Sequence, residues 1–276
     1  MNSSRRPNMR CASRRSRCGC SSRPSRAGSL GLFGEMIRAL TFLILVTMCS
    51  CGQKDQAEDA LDQARRLASE GKFEEALQKH IWFHNHALEV DPAYYGVRLS
   101  FALRDWVELG KKYPAALTAL RKIRDEKTSR LVTGQADRNL FHDVESINEY
   151  LDESAATVEL FKKIEVAQPD FAASVYDLAD KALIATGEYA LAKRYLGNPI
   201  TRFETAKRQF EDGMRYAKTS QKDDASRRAF ERIFTDRVVR IIRVLDKSGD
   251  QDQAREIQSK ALVVLDNSTI RNAISR

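Results

Sequence analysis

One short arrangement recurs along the chain: a glycine, an aromatic or polar residue two positions on, and an alanine five positions on. It occurs as Gly71, Phe73 and Ala76, as Gly187, Tyr189 and Ala192, and as Gly249, Gln251 and Ala254. Gly110, Tyr113 and Ala116 repeat it with one residue inserted. Glycine supplies the positive φ that closes a helix, and alanine lets the next helix pack tightly against the first, so the pattern predicts helix-turn-helix pairs. From Gly71 to Gly110 is 39 residues and from Gly110 to Gly187 is 77, close to twice that. An unmarked turn is therefore expected near 149 to 153, at Tyr150 to Ser154.

Apolar spacing points the same way. Ala60, Leu61, Ala64, Leu67 and Ala68 form one helical stripe. Leu140, Val144, Ile147 and Leu151 form a second that stops at the hidden turn, and Val158, Phe161 and Ile164 start a third after it. Phe230, Ile233, Phe234, Val238, Ile241, Ile242 and Leu245 carry the rule over four turns. Pro92, Pro114, Pro169 and Pro199 stand at expected boundaries, where a missing N–H does least harm. No stretch alternates with period two, and an all-α body follows. Gly197, Asn198 and Pro199 cut short the second helix of the fourth unit, and residues 200 to 248 read as two longer helices outside the repeat.

The first 51 residues differ from everything after them. They hold nine arginines, no lysine, one acid (Glu35) and all five cysteines, Cys11, Cys18, Cys20, Cys49 and Cys51. The formal charge of +8 resides there, because the remainder has 37 basic and 37 acidic residues. The body thus gives no electrostatic reason to expect nucleic acid, and it has no cysteine for a disulfide framework or a thiolate metal site. Residues 1–35 read as an Arg/Ser-rich, disordered leader. Met36, Ile37 and Arg38 then open an apolar run from Ala39 to Met48, too short to span a bilayer.

Two resemblances follow from these residues. Met36 to Cys51, a charged start and a short apolar run ending in small residues before a cysteine, resembles a bacterial lipoprotein signal. Ser50 suits the residue before the cleaved bond better than Met48 does, which makes Cys51, not Cys49, the expected lipidation site. The resemblance implies a signal peptide over 36–50, a lipidated tether over 51–58, a translation start at Met36, and an outer-membrane anchor, since Gly52 and not aspartate follows the cysteine. An organelle transit peptide or an ordinary signal peptide are the alternatives. The body, 59–276, resembles the tetratricopeptide repeat family, whose unit carries the Gly-Tyr-Ala core. Ala87, Leu88, Glu89, Val90, Asp91 and Pro92 match that family's closing sequence. It departs from the family in its longer period and in Asp180, which stands where a small residue belongs. The family likeness implies an α-solenoid, irregular in its C-terminal part, with a concave face for a protein or peptide.

Candidate chemistry is sparse. His80, His84 and His86 invite a metal reading, yet on a helix only His80 and His84 share a face, so a packed helix with Ile81, Phe83 and Trp82 inward is expected instead. Arg227, Arg228, Arg232, Arg237, Arg240, Arg243 and Lys247 read as a solvated face interleaved with acids, not a phosphate stripe. Phosphate-loop, Gly-x-Ser-x-Gly and His-Glu-x-x-His patterns are all missing, so neither an enzyme nor a cofactor is expected. The reading is therefore a lipid-anchored, non-catalytic scaffold or adaptor with Tyr94, Tyr95, Trp106 and Tyr113 as candidate contact anchors. A periplasmic helical enzyme or carbohydrate-binding domain, and a soluble repeat adaptor, are the alternatives.

Overall fold

The computed structural model describes residues 56–219 and 223–274. Met36 to Cys51, with the expected lipidation site, lies outside them. All regular structure among the described residues is helical. Helix α1 covers 56–69, so residues 56–58, assigned to a tether by the sequence, are already in the first helix. It is followed by α2 (Phe73–Val90), a 3-10 turn (Pro92–Tyr94), α3 (Tyr95–Arg98), α4 (Phe101–Lys112), α5 (Pro114–Val132), α6 (Arg138–Tyr150) and α7 (Ser154–Ala167). Then come α8 (Pro169–Ala185), α9 (Tyr189–Leu196), α10 (Pro199–Thr219), α11 (Asp223–Lys247), α12 (Gln251–Val264) and α13 (Ser268–Arg271). Pro114, Pro169 and Pro199 each open a helix, where the ring's fixed φ fits and its missing N–H has no helical partner anyway.

The expected turns are in place. Gly71, Gly187 and Gly249 have φ of 76°, 80° and 92° and separate α1 from α2, α8 from α9 and α11 from α12. The hidden turn lies between α6 and α7, and its left-handed residue is Asp152 at φ 59°, the one non-glycine with positive φ among the described residues. Gly110 differs. It lies buried inside α4, and a Cβ there would come 2.3 Å from Leu117 Cδ2 of α5. Its role is close approach of two helices, with no left-handed cap, because Pro114 starts α5 directly after Tyr113.

These turns define five helix pairs, α1/α2, α4/α5, α6/α7, α8/α9 and α11/α12. The pairs stack on one another. The second helix of a pair packs on the first helix of the next: α2 on α4, α5 on α6, α7 on α8 and α9 on α11. First helices also meet in order, α4 with α6, α6 with α8 and α8 with α11. This corrects the reading of 200–248 as two helices outside the repeat: α11 is the first helix of the fifth pair, and α10 alone is inserted. Helix α10 folds back on α11, with Phe210 and Phe234 ring centroids 4.9 Å apart and Gly213 admitting the Phe230 ring.

An acid directly follows the left-handed residue in each of the last three turns, and each reaches back one pair. Glu153 accepts from Arg121 at 2.8 Å and Arg124 at 2.7 Å, Glu188 from Lys162 at 2.7 Å, and Asp250 from Lys193. Exposed pairs contribute only about 0–1 kcal/mol each, so they mark register more than they hold the stack. Burial does the holding. Phe83, Ala87 and Ala102 join the first pair to the second, and Leu103, Trp106, Leu120 and Ile147 carry the core on to α6. A longer cluster including Phe161, Tyr176, Leu183, Phe203, Ile242 and Ile257 runs to the last pair. Side chains of this size gain roughly 1.5–3 kcal/mol each on full burial.

Candidate functional site

The inserted helix α10 borders a cavity of about 600 Å³ that is also lined by α8, the α9–α10 turn and α11. Its polar lining starts with the break that ends α9. Arg202, in the first turn of α10, reaches back and donates to the carbonyls of Leu196 and Tyr195, which the end of α9 leaves without helical partners. Its guanidinium carbon lies 4.8 Å from the centroid of the buried Tyr176 ring. Asn198 caps α10, its side-chain oxygen accepting from Thr201 N at 3.0 Å. Both the Gly197–Pro199 break and Arg202 are thereby accounted for.

Asp180 faces this cavity from α8, and its side chain is 13% exposed. Arg240 Nε of α11 stands 3.3 Å from its Oδ2, but Arg240 Nε and Asp180 Oδ1 are both buried without completing a hydrogen bond. Burial pushes the Asp180 carboxyl above the usual range, and Arg240 and Arg202 oppose this without overcoming it. Asp177, on the same wall of the cavity, is committed elsewhere. It accepts two hydrogen bonds from Arg138 of α6, at 2.8 and 2.7 Å, which outweigh its burial and hold its carboxyl below the usual range. Arg237 also lines the cavity, and among the described residues it has neither an ion pair nor a hydrogen bond. The arginine row of α11 is thus not one solvated face: Arg237 and Arg240 turn inward while Arg228, Arg232 and Arg243 remain exposed.

A second buried cluster ties the first three pairs together. Arg98 of α3 grips Asp143 of α6 with both terminal nitrogens, one at 3.1 Å, and Lys127 of α5 donates to the same carboxylate. Burial pushes Asp143 up, but the Arg98 hydrogen bond and the Lys127 charge overcome it and hold the carboxyl below the usual range. Lys127 is itself pushed down by burial at the rim, so the Arg98 fork is the stronger arm. His84 Nε2 accepts from Arg98 at 3.3 Å.

His80 and His84 are core residues, not polar edges. They are buried with Ala87 and with Phe83, which was expected inward, whereas Ile81 and Trp82, also expected inward, are only half-buried. His80 stacks on Trp106 at 5.6 Å between centroids and His84 meets its edge at 6.1 Å. Burial lowers their pKa values to about 4 and about 3, so both rings are neutral near pH 7. His86 donates from Nδ1 to the Trp82 carbonyl at 2.9 Å. Among the described residues no three His, Cys, Asp or Glu side chains converge as metal ligands. The signal that could have oriented this helix sits on another one, at Trp106.

The four candidate contact aromatics are not brought together. Trp106 is 1% exposed and donates to the Ala116 carbonyl at 2.9 Å, which removes it from any contact surface. Tyr94 and Tyr95 precede α4, while Tyr113 follows its last turn, about 18 Å of helix away. Tyr95 is half-buried and its hydroxyl meets His142 Nδ1 at 2.8 Å. Tyr94 packs edge-on against Phe83. Tyr113 is half-buried too, donating to Glu74 at 2.7 Å and stacking on Phe73. Cys51 lies outside the described residues.

No protein-family model matches the chain, and no curated protein matches it.

Proposed function

We propose that this chain is a lipid-anchored, non-catalytic scaffold of the bacterial cell envelope whose tetratricopeptide-like helix pairs bind a protein or peptide. The observation that carries this reading is the run of five helix pairs stacked neighbour on neighbour, with turns at Gly71, Asp152, Gly187 and Gly249. Such stacks offer an extended, pre-formed surface with little ordering cost on binding. The Met36 to Cys51 sequence supports export and attachment through Cys51, facing the periplasm from the outer membrane. Several buried acyl chains, at about 0.8 kcal/mol per methylene, would hold the scaffold on the membrane and raise its effective concentration there.

A cavity with two carboxylates on one wall is the feature an enzyme or a carbohydrate-binding domain would need. Asp177 is tied to Arg138 and Asp180 is buried against Arg240, so the scaffold reading is preferred. Expression from Met36 in a bacterial host with radiolabelled palmitate tests the anchor. Label is expected in the wild type and lost in Cys51→Ala; equal label in both, or none, overturns it. A photoreactive phenylalanine analogue in place of Tyr113 tests binding: a crosslinked adduct of defined mass is expected in membranes, and uncrosslinked chain alone counts against it.

A further inference from the structure

The cavity between α8, α10 and α11 has a charge pattern that a stacking interface does not need. Arg237 and Arg240 are three residues apart on α11 and line the same space. At that spacing their side chains are neighbours on the helix surface, and like charges there repel. Arg240 shares part of its charge with Asp180, whereas Arg237 has no ion pair or hydrogen bond among the described residues. Arg202 is spent on the carbonyls of Leu196 and Tyr195, and Asp177 on Arg138. The cavity therefore presents a cationic pair that is only partly compensated.

The rest of the lining fixes what kind of anion fits. Ile184, Leu196, Ala206, Ile241 and Val244 supply apolar wall, and Thr201, Thr205 and Gln209 of α10 supply hydroxyl and amide groups opposite α11. A volume of about 600 Å³ is that of a small-molecule pocket, far beyond what one inorganic ion fills. Guanidinium forks match the planar geometry of a carboxylate, and an anion placed between two of them relieves their repulsion. We infer that this cavity binds a small organic acid, with its carboxylate between Arg237 and Arg240 and its apolar body against Ile184, Ile241 and Val244. This is separate from the partner-binding reading and depends on neither the lipid anchor nor the peptide surface.

The test is calorimetric titration of the full chain with 4-phenylbutyrate, with its neutral amide and with acetate. The acid is expected to bind saturably, and the amide and acetate at least about tenfold more weakly, because one lacks the charge and the other the apolar body. Arg237→Gln should weaken the acid at least about tenfold, while Arg232→Gln, an exposed arginine on the same helix, should leave it unchanged. Ala206→Leu fills the apolar half without touching an arginine and should also weaken the acid, so the inference stays testable if Arg237→Gln fails to fold. No saturable binding of 4-phenylbutyrate, equal binding of acid and amide, or wild-type affinity in folded Arg237→Gln or Ala206→Leu would overturn it.

Discussion

Asp143 and Asp180 hold similar places in successive parts of the stack, each a carboxylate on the first helix of a pair facing a cation from another element. Their outcomes differ. Between the first three pairs, both oxygens of Asp143 are bonded, one by two cations, even though a cavity of about 390 Å³ lies beside them. Where α10 is inserted, the arginine opposite Asp180 meets it at a poor angle, one carboxylate oxygen has no partner, and a cavity opens alongside. The pKa directions record the same contrast: Asp143 is held below the carboxylate range and Asp180 above it. An insertion between pairs therefore does not break the stack. It loosens the polar contact at its own edge, where one oxygen of Asp180 is left without a partner.

Removing each carboxylate should separate the two sites most sharply. Asp143→Ala leaves Arg98 and Lys127 buried without their counter-charge and is expected to cost about 3–5 kcal/mol in urea unfolding. Asp180→Ala should cost about 1 kcal/mol or less, because its ion pair is incomplete and Arg240 keeps access to water. Equal losses would erase the contrast.

Glu145 lies on α6 between the two sites and sharpens the comparison in pH. Burial, with Glu149 nearby, raises its pKa to about 7 from an ordinary 4.5. A raised carboxylate binds its proton more tightly folded than unfolded, so its contribution is full below about pH 4.5 and is lost as pH rises through 7. Glu145→Gln should therefore gain on the order of 2 kcal/mol over wild type at pH 8, the gap closing below pH 5. Asp143 has the opposite sign: its contribution is full above the ordinary carboxylate range and is lost as pH falls through its lowered value. Chemical denaturation at a series of pH values checks both.

Gly110 and Asp152 give the smaller effects. Gly110→Ala drives a Cβ to within 2.4 Å of Leu117 Cγ and should cost about 1–2 kcal/mol net of the helix propensity that alanine restores. Asp152→Gly relieves a left-handed aspartate and should gain about 1 kcal/mol in thermal unfolding.

Much of this architecture was legible in the sequence, and what was missed has physical reasons. Counting between Gly71, Gly110 and Gly187 located the hidden turn because helix length fixes the period, yet no motif marks Asp152, since aspartate only tolerates the left-handed region that glycine prefers. The break at Gly197, Asn198 and Pro199 showed that the repeat was interrupted before Gly249. It did not show which of two long helices continues the stack, because that depends on α8 and α9 meeting α11. The inward turn of His80 and His84 depends on Trp106, contributed by another helix. The cavity was hidden for a similar reason: its lining runs from Tyr176 to Val244, and no local pattern joins those residues.

The backward-reaching acids of the turns carry a consequence for the order of folding. Lys162 and Glu188 are 26 residues apart, whereas Lys193 and Asp250 are 57 apart because α10 lies between them. Closing the longer loop costs more chain entropy, though only by roughly 0.7 kcal/mol, and it also waits for the α10–α11 hairpin to form. The fourth pair should thus reach its native protection before the fifth. Pulse-labelled hydrogen exchange that found α12 protected ahead of α8 would contradict this order. The inserted helix would then be a clock as well as a wall, setting when the end of the stack closes.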